Sequence, residues 1–74
     1  MTLAELKPGD CGRVESLGDD PALVQRLSEL GLFDGEVVEF VGSAPLGDPL
    51  EVRVGDTRLS LRRIDAAQVH VAKL

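Results

Sequence analysis

The chain predicts a small, mainly β fold: a partly open barrel of about five short strands, with one helix inserted between the first two. Three observations carry this. One segment alone has both the caps and the period of an α-helix. Two five-residue runs of alternating apolar and polar residues flank the dipeptide Gly55-Asp56. Between and around these, Gly, Pro and Asp recur so often that no element can be long.

Thr2-Leu3-Ala4-Glu5 has capping-box spacing, with Glu5 three residues after Thr2, and predicts one helical turn closed by Pro8-Gly9-Asp10. Cys11 to Leu17 reads as the first strand, and Gly12 inside it implies a bulge or a close backbone approach. The helix is predicted over 21–30. Asp20 is its N-cap, Pro21 occupies the first position, where a missing N–H is harmless, and Gly31 supplies the left-handed stop. Leu23, Leu27 and Leu30 recur at i, i+4 and i+7 and are expected to face the barrel, with Leu32 as the apolar contact after the cap. Glu36 to Val41 is rich in β-branched and aromatic residues and predicts a second strand. Gly42 to Pro49, with two Gly and two Pro, predicts a loop.

Leu50–Val54 and Thr57–Leu61 form the best-specified element, a hairpin turning at Gly55-Asp56. A two-residue loop pairs Val54 with Thr57, Arg53 with Arg58, Val52 with Leu59, Glu51 with Ser60 and Leu50 with Leu61. Apolar residues then oppose apolar residues or Thr, and polar oppose polar, so a slip by one residue would destroy the match. Asp65 to Gln68 predicts a single helical turn, and Val69 to Val71 a last strand. Five short strands and one helix leave sheet edges exposed unless the sheet curls, which an SH3-like or OB-like barrel achieves.

Composition narrows the function. Seventy-four residues suit one domain, 1–74, with an aliphatic core, since the chain has two Phe and no Trp or Tyr. The net charge of −5 is uneven: residues 1–49 carry −7 and residues 50–74 carry +2. An acidic chain repels phosphate backbones, which argues against a nucleic-acid partner. No apolar run approaches the roughly 20 residues that span a bilayer, so no membrane insertion is expected, and a signal-peptide core is lacking. With one cysteine and no secretory signal, the expected location is cytoplasmic.

The candidates for chemistry are few. His70, between Val69 and Val71, should face solvent, and the sequence places no other metal ligand at matching spacing. Cys11 has no resolving partner and reads as a small, partly buried residue. Asp19, Asp20, Asp34, Glu36, Glu39 and Asp48 read as caps, turn residues and solvated carboxylates, and they lack an EF-hand pattern. Nucleophile–base arrangements, phosphate loops and HExxH motifs are absent. The sequence therefore predicts no enzyme, no cofactor and no tight divalent-metal site. Arg53 and Arg58 should oppose each other on the outer hairpin face, with Glu51 diagonal to Arg58 relieving the repulsion, and Arg62-Arg63 continues the basic run. Such a run either covers a thin core with its aliphatic stems or faces an acidic partner.

Taken in order, several stretches resemble the FeoA family, small cytosolic companions of the FeoB ferrous-iron transporter. They are Leu3 with Leu6-Lys7-Pro8-Gly9-Asp10, then Arg26 through Leu32, Gly35, Pro45-Leu46-Gly47-Asp48-Pro49, the Gly55 hairpin, and Leu59-Ser60-Leu61-Arg62-Arg63 leading to Ala66. Phe33 departs from the pattern, since a polar residue and then Pro commonly precede Gly35. Cys11 maps to no family role. The resemblance implies an SH3-like barrel and a cytosolic role in regulating or assembling a FeoB-type membrane transporter, whose G-protein domain is exposed there. It also implies similarity to the C-terminal domain of iron-dependent repressors, which makes a metal-responsive regulatory domain the alternative. An opening Met1 with its own capping box fits a free-standing protein better than a repressor fragment. The partner-binding residues expected on this basis are Arg26, Glu29 and Phe33 at the end of the helix, with Arg62 and Arg63 as an electrostatic second contact. The oligomeric state is left open.

Overall fold

The computed structural model describes residues 1–74. Five strands, β1 (Cys11–Ser16), β2 (Val37–Ser43), β3 (Leu50–Val54), β4 (Thr57–Leu61) and β5 (His70–Lys73), form one sheet in the order β4-β3-β2-β1-β5. Every neighbouring pair is antiparallel. The sheet is not closed: β4 and β5 are its two ends. Helix α1 (Pro21–Glu29) lies between β1 and β2 in sequence, and a short helix α2 (Arg63–Ala66) links β4 to β5.

The hairpin has the expected register at all five pairs, from Val54 with Thr57 to Leu50 with Leu61. Gly55 takes φ 59°, the left-handed first position of a turn whose twist matches the flanking strands. Elsewhere boundaries move by one or two residues. Strand β1 stops at Ser16, and Leu17 is buried beyond it. Gly12 is a close approach: a Cβ there would lie 3.0 Å from the Val71 Cβ. The bulge falls later, between Val14 and Ser16 opposite β5. Strand β2 runs on to Ser43 through a second bulge at Phe40–Gly42, so the predicted loop shrinks to residues 44–49. Within that loop Pro45–Gly47 makes a 3-10 turn and the Asp48–Pro49 bond is cis. The late helical turn sits at Arg63–Ala66 and not at Asp65–Gln68, because it starts directly after β4.

The end of α1 corrects one core assignment. Asp20 caps the start, its carboxylate accepting from the Ala22 N–H at 3.0 Å. At the other end Leu30 is the C-cap, and Gly31, with φ 96°, turns the chain back. The Leu32 N–H then donates to the Leu27 carbonyl at 2.9 Å and the Gly31 N–H to the Ser28 carbonyl at 3.0 Å, a Schellman motif. Leu23, Leu27 and Leu32 are buried, while Leu30 is 43% exposed. Folding Leu32 under the helix end fills the position that the periodicity assigned to Leu30. The core is aliphatic apart from Phe40, and it runs from Leu3 and Leu6 through Val38, Leu50, Val52 and Leu59 to Val69 and Val71.

The N-terminus covers one end of the sheet. The Leu3 N–H donates to the Val69 carbonyl at 2.8 Å, the Val71 N–H donates to the Met1 carbonyl at 2.9 Å, and Thr2 bridges His70. A 3-10 turn over Leu3–Glu5 follows, held by the Glu5 carboxylate, which accepts the Thr2 N–H at 2.6 Å.

Candidate functional site

Charged and apolar groups converge where the ends of α1 and β4 meet α2. Arg26, in the last turn of α1, donates to the Asp65 carboxylate on α2 at 2.8 Å. The pair stands on the surface, so it contributes at most about 1 kcal/mol. It forms one wall of an open groove of about 420 Å³ whose other lining residues are Leu30, Ser60, Leu61, Arg62 and Ile64. Ile64 is 70% exposed and Leu30 43%, large apolar side chains left in solvent beside two arginines. Arg62 also borders a second hollow of about 430 Å³ with Asp48 and Pro49.

The five residues expected at a partner site do not act alike. Arg62 is exposed and makes no ion pair, so its cation is free. Glu29 is likewise exposed and unpaired. Phe33 is 49% exposed in the connection after α1, so it does not cap the barrel end. The Arg26 guanidinium is held by Asp65, because α2 presents a carboxylate to it. Arg63 is engaged within the fold. Its guanidinium donates to the Gly47 carbonyl at 3.0 and 3.2 Å and to the Ala4 carbonyl at 3.4 Å. Its backbone N–H donates to the Asp48 carboxylate at 2.9 Å. It thereby ties the 44–49 loop to the N-terminal turn.

Elsewhere three further ion pairs form within the chain. Arg53 bonds Glu39 across β3 and β2. Arg58 reaches Glu51 at 3.4 Å, the diagonal relief expected from the register. Lys73 lies 3.7 Å from Asp10. His70 is exposed on β5 and Cys11 is half-buried. At no point do three His, Cys, Asp or Glu side chains converge with metal-binding geometry. The one shifted acid is Glu5, held below the usual carboxylate range chiefly by the Thr2 backbone N–H, which favours its charged form.

Sequence reasoning did not single out Leu30 as exposed, nor Ser60, Ile64 or Leu46. Isolated exposed apolar residues are ordinary, so Ile64 gave no signal until α2 placed it against Arg62. Leu46 is fully exposed at φ 77°, a left-handed conformation that costs a branched L-residue roughly 1–2 kcal/mol. Its signal was the Pro-Leu-Gly-Asp-Pro stretch, which demands a tight turn somewhere within it.

A five-stranded antiparallel sheet, open at one edge, crossed by a single helix and bearing a surface groove, is a module of the SH3-like class. The FeoA domain model matches residues 1–73, and the chain belongs to the FeoA family. The chain is 37% identical over 71 residues to an Fe(2+) transport protein A/Fe(2+) transporter FeoB fusion protein of Porphyromonas gingivalis. The match covers 96% of this chain and only 8% of that much longer one. A crystal structure of Stenotrophomonas maltophilia FeoA complexed with zinc, described as an SH3 domain protein, is 43% identical with a TM-score of 0.84. That match covers 97% of this chain and 89% of the other. A manganese-dependent transcriptional repressor superposes with a TM-score of 0.91 at 18% identity, over all of this chain and 36% of the repressor. At that identity the likeness shows the fold alone. Through its family the chain is linked to ferrous-iron transport, and none of its helices is long and apolar enough to cross a membrane.

Proposed function

We propose that this chain is a cytosolic accessory protein of ferrous-iron uptake that acts by binding the cytosolic part of a FeoB-type transporter, and that it performs no catalysis. The fused relative carries this reading. Joining two modules in one chain raises the concentration each feels of the other to about the millimolar range, which is useful where the two act together. A family member that is not fused must supply that contact without a covalent link. The surface at the end of α1 suits such a contact, with Phe33 and Glu29 exposed, Arg26 held by Asp65, and Arg62 unpaired. Arg63 supports it from behind by fixing the loop.

The alternative, a metal-responsive regulatory domain like those of the repressors, has the fold in its favour but finds no ligand cluster in this chain. The experiment is co-purification with the cytosolic region of a FeoB-type transporter, using Phe33→Ala and Arg26→Glu separately. Docking at this surface requires at least a tenfold loss of affinity, about 1.4 kcal/mol. The melting temperature should move by less than about 4 °C, the shift expected from 1 kcal/mol in a domain of this size. Lost stability with unchanged affinity would reject the surface. Nanomolar, one-to-one binding of Fe²⁺ or Zn²⁺ by the isolated chain would favour the regulatory alternative.

A further inference from the structure

We infer that the free edge of β4 is a docking site for an extended, acidic segment of a partner, which adds as a sixth strand and lays alternate apolar side chains into the groove beside it. The hairpin register fixes which backbone groups are free. With Val54 and Thr57 closing a two-residue turn, Thr57, Leu59 and Leu61 exchange backbone bonds with β3. The N–H and C=O groups of Arg58 and Ser60 therefore point away from the sheet, and no strand or loop meets them. At the opposite end of the sheet, residues 1–3 already occupy the equivalent edge along β5.

The surroundings of this edge specify what it would accept. Ser60 and Leu61 line the groove whose walls are Leu30, Ile64 and Arg26. Leu59 and Leu61 point into the core, so the groove lies on the core side of the edge, and Arg58 and Ser60 point to the other side. A strand laid beside β4 alternates in the same way. Its inward side chains meet Leu30, Leu61 and Ile64 and are apolar; its outward ones meet Arg58 and are acidic. Unpaired Arg62, where β4 leaves the sheet, adds a second cation in a chain whose net charge is −5. A second copy pairing β4 with β4 about Ser60 would set Arg58 against Arg62, so charge favours an acidic partner over a second copy. The inference shares the interaction reading above but does not depend on which protein carries the segment.

The test uses the isolated chain and a blocked nine-residue peptide of alternating glutamate and valine, with its lysine–valine counterpart as the charge control. Amide shifts and hydrogen exchange report the site, and titration reports the affinity. The expected result is saturable binding of the glutamate peptide, shifts centred on Arg58, Ser60 and Arg62, and slowed exchange at the Ser60 amide. The lysine peptide should bind at least tenfold more weakly. Ser60→Pro removes an outward N–H that makes no bond to β3, so the hairpin survives and affinity should fall at least tenfold. Ile64→Ala, which leaves the backbone untouched, should weaken binding several-fold. Shifts elsewhere on the surface, no binding at millimolar peptide, equal binding of both peptides, or unchanged affinity of Ser60→Pro would each overturn the proposal. So would sedimentation showing a dimer of the free chain that Ser60→Pro converts to a monomer. Because the peptides contain no transporter sequence, their failure leaves the co-purification result standing, and the reverse also holds.

Discussion

The two ends of the sheet are finished in opposite ways. Beside β5 the chain's own first residues complete the ladder, and Leu3, Val69 and Val71 there are at most 1% exposed. Beside β4 no chain segment completes the ladder, and the nearest large apolar groups, Leu30 and Ile64, stand in solvent. An edge strand is a hazard that proteins blunt by covering it or charging it. This chain covers one edge and charges the other, with Arg58 and Arg62. The difference separates labour: the covered end holds the fold together, and the charged end is free to meet another molecule.

Leu3→Ala should show the largest effect, because Leu3 is fully buried and its backbone also closes the β5 edge. Emptying such a site costs about 2–5 kcal/mol. A domain of this length has a total stability of roughly 4–11 kcal/mol. Thermal or urea unfolding of Leu3→Ala beside Ile64→Ala sharpens the contrast, since the second change should stay within about 0.5 kcal/mol. Similar losses for both variants would break it: the open end would then be core, and its exposed residues would need another account.

A middle-sized effect belongs to Arg63, which ties the 44–49 loop to the N-terminal turn. Arg63→Ala removes bonds to the Gly47 and Ala4 carbonyls. Charge-assisted bonds contribute more than neutral ones, but solvent screening at an exposed side chain brings the expected loss to about 1 kcal/mol. Its neighbour Arg62 has no such partners, so Arg62→Ala should leave the urea midpoint nearly unchanged. Equal midpoints for both variants would show that the loop clamp carries no stability and would return Arg63 to the set of free surface cations.

Arg62 and Arg63 also mark where the sequence stopped being legible. Adjacent arginines look alike in a sequence, and only the path of the 44–49 loop, whose Gly47 carbonyl and Asp48 carboxylate accept from Arg63, decides which one is engaged within the fold. The hairpin was readable because its register is fixed by a two-residue turn and by a period of two, both local. Helix α1 was readable from Asp20, Pro21 and Gly31 for the same reason. Leu30 was misassigned because periodicity tells which side a residue faces and not whether the sheet extends far enough to meet it. The groove was out of reach, since it needs α1, β4 and α2, joined by contacts such as Arg26 to Asp65, 39 residues apart. The uncovered β4 edge could not be inferred either, because strand order is a property of the whole sheet.

The smallest expected effect tests how the covered end is fastened. Glu5 accepts the Thr2 N–H, and that bond is the main reason its carboxyl is held below the usual glutamate range. The amino terminus and His70 push in the same direction more weakly. A lowered value in the folded state means that the unfolded chain binds the proton more readily, so this group favours folding more as pH rises. Its contribution is complete above the ordinary glutamate value and is lost as pH falls through the lowered one. Glu5→Gln keeps the shape and a carbonyl acceptor but cannot titrate. The variant should therefore be slightly less stable than the parent at pH 7, with the difference closing in strong acid. Carboxyl-carbon NMR should place the Glu5 midpoint below the ordinary glutamate value. A Glu5 midpoint in the ordinary range would show that the N-terminal turn is held to β5 by backbone pairing alone, and the covered edge would owe nothing to charge.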